Sequence, residues 1–288
     1  MNWPIQQLRR ADFPALLSEI PDCPQALAFR GVMPPPDTIY VCVVGSRSCT
    51  QYGRRMTAKL VAGLAGYPVA IVSGMALGID SEAHKAALDV GLPTVAVLPS
   101  GLDSDVIYPR MNRPLAERIL KAESALLSEN PHDFVAMLHS FPQRNRVSAG
   151  MSKVTLIVEA GEKSGTLITA RLAMEYNREV LCVPHELGRE TGAGVNALIR
   201  EGATLVRNSE DILEALGLKA REPVQGTLPT DLTIPETKIL TALTAVDALV
   251  RDELLERAEI SAQDASIALS SLLIRGLILE RLGKIERV

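Results

Sequence analysis

Five short stretches of this chain put glycines, hydroxyls and cations where an anion could be held. Gly45-Ser46-Arg47 closes an unbroken apolar run, Ile39–Val44. Such a run suits a strand covered on both faces, and a tight turn after it would aim backbone N–H groups at a ligand. Ser73-Gly74-Met75-Ala76-Leu77-Gly78-Ile79-Asp80 repeats the arrangement after a second apolar run, with His84 following. The stretch from Pro99 to Asn112 is long for a connection between strand and helix and carries Arg110. Phe141-Pro142-Gln143-Arg144-Asn145-Arg146 puts two arginines and an asparagine behind an aromatic ring. Cations at a helix start oppose its dipole, and an external anion would relieve that conflict. Lys163-Ser164-Gly165-Thr166 precedes another helix and forms a fifth phosphate-ready turn.

Groups that break bonds are scarce beside these seats. The chain has no Gly-x-Ser-x-Gly elbow and no His-Glu-x-x-His, and its four histidines lack metal-ligand spacing. The glycine pattern of a dinucleotide site is missing after Ile39–Val44, and Walker A is absent, so neither a cofactor nor a metal is expected. The residues favour binding over catalysis. Each also has a structural reading: Asp80 or Ser81 can cap a helix, His84 can pack on it, and the arginines can bond carbonyls across a sheet.

Elements that would position these loops alternate along the chain. Apolar runs at Ile39–Val44, Val69–Ser73, Thr94–Leu98, Ala125–Ser128, Val154–Glu159, Glu179–Val183 and Thr204–Val206 are separated by helical patterns. One of those helices is expected over Arg144–Ala149. The alternation predicts an α/β fold with a doubly wound, mostly parallel sheet. Residues 1–37 read as a lead-in, 38–217 as the sheet domain, 218–233 as a linker, and 234–288 as a small winged-helix domain of three helices and a hairpin. A net charge of −4 argues against a uniformly basic coat but not against a local basic groove. No stretch approaches the roughly 20 apolar residues of a membrane span. No signal peptide is evident, and Cys23, Cys42, Cys49 and Cys182 are scattered, so buried thiols in a reducing cytoplasm are expected.

Taken in order, the motifs resemble the DNA-processing protein A family (DprA, also called Smf). The likeness is carried by Val43-Val-Gly-Ser-Arg47 with Tyr52-Gly53, by Ser73-Gly-x-Ala-x-Gly-Ile-Asp80 with His84, and by Gly101-Leu-Asp103 with Tyr108-Pro109 and Asn112. It continues through Ser128-Glu129, Phe141-Pro-x-Arg-Asn-Arg146, Val158-Glu-Ala160, Ser164-Gly-Thr166 and Gly194-Val-Asn196. The resemblance implies a cytoplasmic homodimer that binds single-stranded DNA through an extended Rossmann-like domain, protects incoming strands and loads the RecA recombinase during natural transformation. By that likeness Gly45, Ser46 and Arg47 would seat a phosphate, Arg110, Arg144 and Arg146 would line the path, and Phe141 and Asn145 would meet bases or sugars. Gly74 and the turn Lys163, Ser164, Gly165 and Thr166 complete the expected DNA-binding set. Family members usually show Pro-Gly after the sixth strand, where this chain reads Pro184-His185-Glu186.

Two other readings compete. A nucleotide-processing enzyme of the phosphoribohydrolase-like Rossmann group would share the Gly165-Thr166 helix start, but Thr169 stands in the position of that group's glutamate. A winged-helix transcription regulator would read duplex DNA through the third C-terminal helix. That helix carries Gln263, Asp264, Ser266 and Ser270, a poor groove-reading set.

Overall fold

The computed structural model describes residues 3–219, 232–243, 248–275, 277–281 and 283–287. Most of the expected linker, 220–231, and Gly276, the expected stop of the last helix, lie outside the described residues. The chain divides into two compact units, 1–220 and 221–288.

In chain order the first unit contains β1 (Gln6–Leu8), α1 (Ala15–Glu19), β2 (Leu27–Gly31), β3 (Ile39–Val44), α2 (Gln51–Ala62), β4 (Val69–Ser73), α3 (Ile79–Asp89) and β5 (Thr94–Val97). It continues with α4 (Arg113–Lys121), β6 (Ala125–Ser128), α5 (Ser140–Met151), β7 (Val154–Ile157), α6 (Thr166–Glu175), β8 (Glu179–Cys182), α7 (Ala193–Arg200), β9 (Thr204–Leu205) and α8 (Ser209–Ala215). The strands form one sheet in the order β1-β2-β6-β5-β4-β3-β7-β8-β9. From β6 to β9 all neighbours are parallel. The fold is the mostly parallel α/β sheet that the alternation predicts.

Two packed layers explain why the strands read as continuous apolar runs. On one face Val147, Ala149 and Met151 of α5 and Ala170 and Ala173 of α6 pack on Cys42, Val44, Ile157 and Cys182. On the other, Leu60 and Val61 of α2 and Ala83 and Ala87 of α3 cover Val41, Val43, Ile71 and Leu156. Strand order runs outward in opposite directions from β3 and β7. Ligands bind at such a reversal, beyond the carboxyl ends of the strands.

The first 37 residues do more than lead in. β2 pairs antiparallel with β6 (Ala28 opposite Ser128), and β1 pairs antiparallel with β2. Leu17 and Ile20 are buried in the same core as Val147 of α5. A side chain at Gly150 would collide with Ile20, so the segment and α5 are in close contact.

The second unit contains α9 (Ile234–Ala242), β10 (Leu249–Val250), α10 (Arg251–Ala258), α11 (Ala262–Ile274), β11 (Ile278–Arg281) and β12 (Lys284–Arg287). Its three strands form their own antiparallel sheet. Leu240, Leu254, Leu269, Leu272 and Ile285 make its separate core. Thr233 and Glu236 form a capping box that starts α9.

Candidate nucleic-acid interface

At the strand-order reversal a cleft of about 480 Å³ is lined by four of the five predicted stretches. Gly45, Ser46, Arg47 and Ser48 come from the end of β3. Ser164, Gly165 and Thr166 start α6, and Phe141, Pro142, Arg144 and Asn145 come from α5. The wall is completed by Ala76, Asp80, Ile168 and Thr169.

Close approach explains Gly45, Gly74 and Gly78. A side chain at Gly45 would run into Ile79, and one at Gly74 would occupy the place of the Arg144 guanidinium. Gly74 is therefore the seat of an arginine and does not line the cleft. Gly78 has φ +81°, and its lack of a side chain lets the second loop press against Ser46 and Arg47. The Ile79 amide donates to the Ser46 carbonyl there, at 3.2 Å.

Arg144 forms the floor. Its residue is 7% exposed, and Nη1 lies 3.6 Å from Oδ2 of the equally buried Asp80. That carboxylate oxygen also accepts the amides of Gly74 and Ala76 at 3.1 and 3.3 Å. Burial pushes the Asp80 carboxyl above the usual carboxylate range, with Arg144 pulling against the shift. Burial likewise lowers the guanidinium, with Asp80 opposing. Below the pair, burial pushes the Cys42 thiol up to about 12, so it stays protonated. The expected helix Arg144–Ala149 would put Arg144 and Arg146 at its start. The helix instead begins at Ser140, because Pro142 sits in its first turn, where no amide is missed. The arginines lie past that turn, so the dipole conflict inferred from sequence does not arise.

The other predicted cations divide. Arg47 is exposed, and its guanidinium carbon lies over the Phe141 ring. Arg146 does not line the cleft, because its side chain is drawn to Glu129 at 2.5 Å and to Asp22 at 3.8 Å. Arg110 and Lys163 are exposed and lie outside the cleft wall.

The helix termini also sort themselves. The Thr50 side chain caps α2 by accepting the Gly53 amide at 3.1 Å, and the Glu159 carboxylate sits beside that cap. The α2 N-terminus thus already has an anion from within the chain. At α6, Gly165 has open space around it, and among the described residues the Thr166 amide is held only by the neighbouring Ser164 hydroxyl at 3.2 Å. This second terminus faces the cleft.

Tyr108 stands out in the sequence only through the family motif, yet its exposed ring meets Phe141 edge-on, 5.4 Å between centroids. An exposed aromatic in an over-long loop was the available signal. Asn112 of the same loop is structural, donating to the Met75 carbonyl at 2.7 Å and to Ser81 Oγ at 2.9 Å. The divergent His185 is clamped by Asn196 through both its amide and its carbonyl, and its ring bonds the Val158 carbonyl at 2.8 Å. Among the described residues no group of acids, histidines and cysteines is arranged to hold a metal ion.

Residues 5–217 match the family model described as DNA recombination-mediator protein A. The chain belongs to that family. It is 42% identical over 204 residues to protein Smf of Escherichia coli, covering 71% of this chain and 54% of that protein. It is 40% identical over 201 residues to DNA processing protein DprA of Streptococcus pneumoniae, covering 70% of each. The X-ray structure of DNA processing protein A from S. pneumoniae aligns with a TM-score of 0.67 at 38% identity, covering 74% of each chain. A structure describing the single-stranded DNA binding mode of DNA processing protein A from Helicobacter pylori aligns with a TM-score of 0.65 at 31% identity, over 74% of this chain and 96% of that one. The chain thus spans about half the length of its E. coli relative. The recombination-mediator match covers the sheet unit and stops before the second unit.

Proposed function

We propose that the chain binds single-stranded DNA in this cleft and acts as a recombination mediator, not as an enzyme. The observation that carries the reading is the convergence at one strand-order reversal of Arg47, the Phe141 ring and the open start of α6. A guanidinium and helix amides suit phosphate, and an aromatic ring suits an unpaired base. Asp80 is the one acid among the described cleft-lining residues, and it is engaged by Arg144. That leaves no acid–base pair beside the phosphate seat. The binding described for the H. pylori relative supports the same reading.

Protection of incoming strands, loading of a RecA-type recombinase, action in natural transformation, homodimerisation and a cytoplasmic setting are proposed on the family likeness. No helix among the described residues is long and apolar enough to cross a membrane. The second unit is read as a protein-contact module. Its α11, in the position that reads duplex grooves in winged helices, exposes Ile267 and Ile274 around the neutral Ser270.

Fluorescence anisotropy with a labelled oligo-dT and a matched duplex tests the proposal. Preferential binding of the single strand, falling steeply as salt rises, is expected. Absence of binding at low salt, or release of free base from nucleotides, overturns it.

A further inference from the structure

Glu159 lies in the family motif Val158-Glu159-Ala160, but its side chain is wholly buried and does not line the cleft. Even so, this one residue holds both ends of the loop that carries Arg47. At the near end the Ser46 amide donates to the Glu159 backbone carbonyl at 2.7 Å. At the far end the Thr50 amide donates to the Glu159 side-chain Oε2 at 3.0 Å, and the Thr50 hydroxyl lies 3.3 Å from the same oxygen. Only Arg47, Ser48 and Cys49 lie between those anchors, and Arg47 and Ser48 line the cleft.

A carboxylate taken out of water is strongly disfavoured unless its charge is answered. Here the positive end of α2 and the Thr50 donors answer Oε2, while Oε1 has no hydrogen-bond partner among the described residues. Gly53 shows how tightly the group is fitted. Glycine inside a helix weakens it relative to alanine, and a side chain at Gly53 would strike Oε2. Space for the carboxylate is what this glycine provides.

We propose that Glu159 is a positioning residue for nucleic-acid binding, anchoring the Ser46–Thr50 loop at both ends so that Arg47 is presented over the cleft. The proposal rests on the single-strand reading above. It also assigns the two helix starts: α2 serves the internal carboxylate, and α6 is left for the phosphate of the ligand.

The test measures oligo-dT affinity for Glu159→Ala, Glu159→Gln and Gly53→Ala, each alone and combined with Arg47→Ala, with circular dichroism confirming the fold. A hydrogen bond to a charged group sets the scale, so Glu159→Ala and Gly53→Ala should each weaken binding about tenfold. Glu159→Gln keeps an acceptor oxygen and should stay within about twofold of wild type. On the Arg47→Ala background no further loss is expected, because the anchor acts through Arg47. Gly53→Ala removes a helix-weakening glycine, so it decides the matter if Glu159→Ala does not fold. Unchanged affinity in Gly53→Ala, or an equal loss with and without Arg47, overturns the anchor alone. Failure of the wild type to bind single strands overturns the cleft reading, and the anchor with it.

Discussion

The guanidinium carbon of Arg47 stands 5.1 Å from the centroid of the Phe141 ring. In this arrangement the cation covers the ring face that a base would use, and Tyr108 meets the same ring edge-on. An exposed cation–π contact of this kind contributes about 0.5–1 kcal/mol. A base–aromatic stack contributes about 1–3 kcal/mol, so an arriving nucleotide can displace the guanidinium toward its phosphate.

Exchange of that contact gives separate signatures for the two residues. Arg47→Ala should lower the slope of log affinity against log salt by about 0.7, the value for one phosphate on a single strand. Phe141→Ala should leave the slope unchanged and cost about 1–3 kcal/mol. That cost should shrink when the oligonucleotide is abasic. Salt titrations by anisotropy check both.

Asp80 and Arg144 form a nearly dry ion pair, so removing one partner strands the other. Asp80→Asn is expected to destabilise the sheet unit by about 3–5 kcal/mol, measured by urea unfolding. Gly74→Ala should act from the opposite side by displacing the guanidinium from its seat, lowering both stability and oligo-dT affinity.

His84 gives a pH prediction with a definite sign. Burial, with Arg144 adding to it, lowers its pKa from 6.5 to about 3, so the folded ring is neutral and Nδ1 bonds Thr94 at 2.7 Å. The unfolded chain takes up a proton below pH 6.5 and the folded one does not. Stability should therefore fall as pH drops from 6.5 toward 3, by at most about 1.4 kcal/mol per pH unit from this group. His84→Gln should flatten that limb in denaturant titrations run across pH.

Arg146 separates structure from binding. Its pairing with Glu129 and Asp22 makes it a strut between α5 and its surroundings. Arg146→Ala should cost about 1–3 kcal/mol of stability and change oligo-dT affinity by less than about twofold.

What could be read in advance follows from how local each signal is. The central strands are buried on both faces, so they appear as unbroken apolar runs, and the loops at their ends fall into place with them. Gln6–Leu8 and Leu27–Gly31 escaped because they are short and lie toward the antiparallel side of the sheet, where part of each strand faces outward. The first turn of α5 escaped because Pro142 reads as a breaker, although a first turn tolerates it. Arg144 and Arg146 share one motif and one helix but have opposite fates. Their partners Asp80, Glu129 and Asp22 are distant in the chain, so spacing alone could not separate floor from strut. Glu159 was visible only as part of a motif, since its role depends on folding back against Thr50.

The antiparallel flank has a consequence for how this chain can be cut. Deleting the residues before Ile39 would strip β2 from β6 and leave a row of unpaired amides and carbonyls along the sheet margin. It would also uncover α5 where Leu17 and Ile20 now pack. Such a fragment would retain every residue of the cleft yet tend to self-associate, so the smallest well-behaved piece of the sheet unit begins ahead of its first parallel strand.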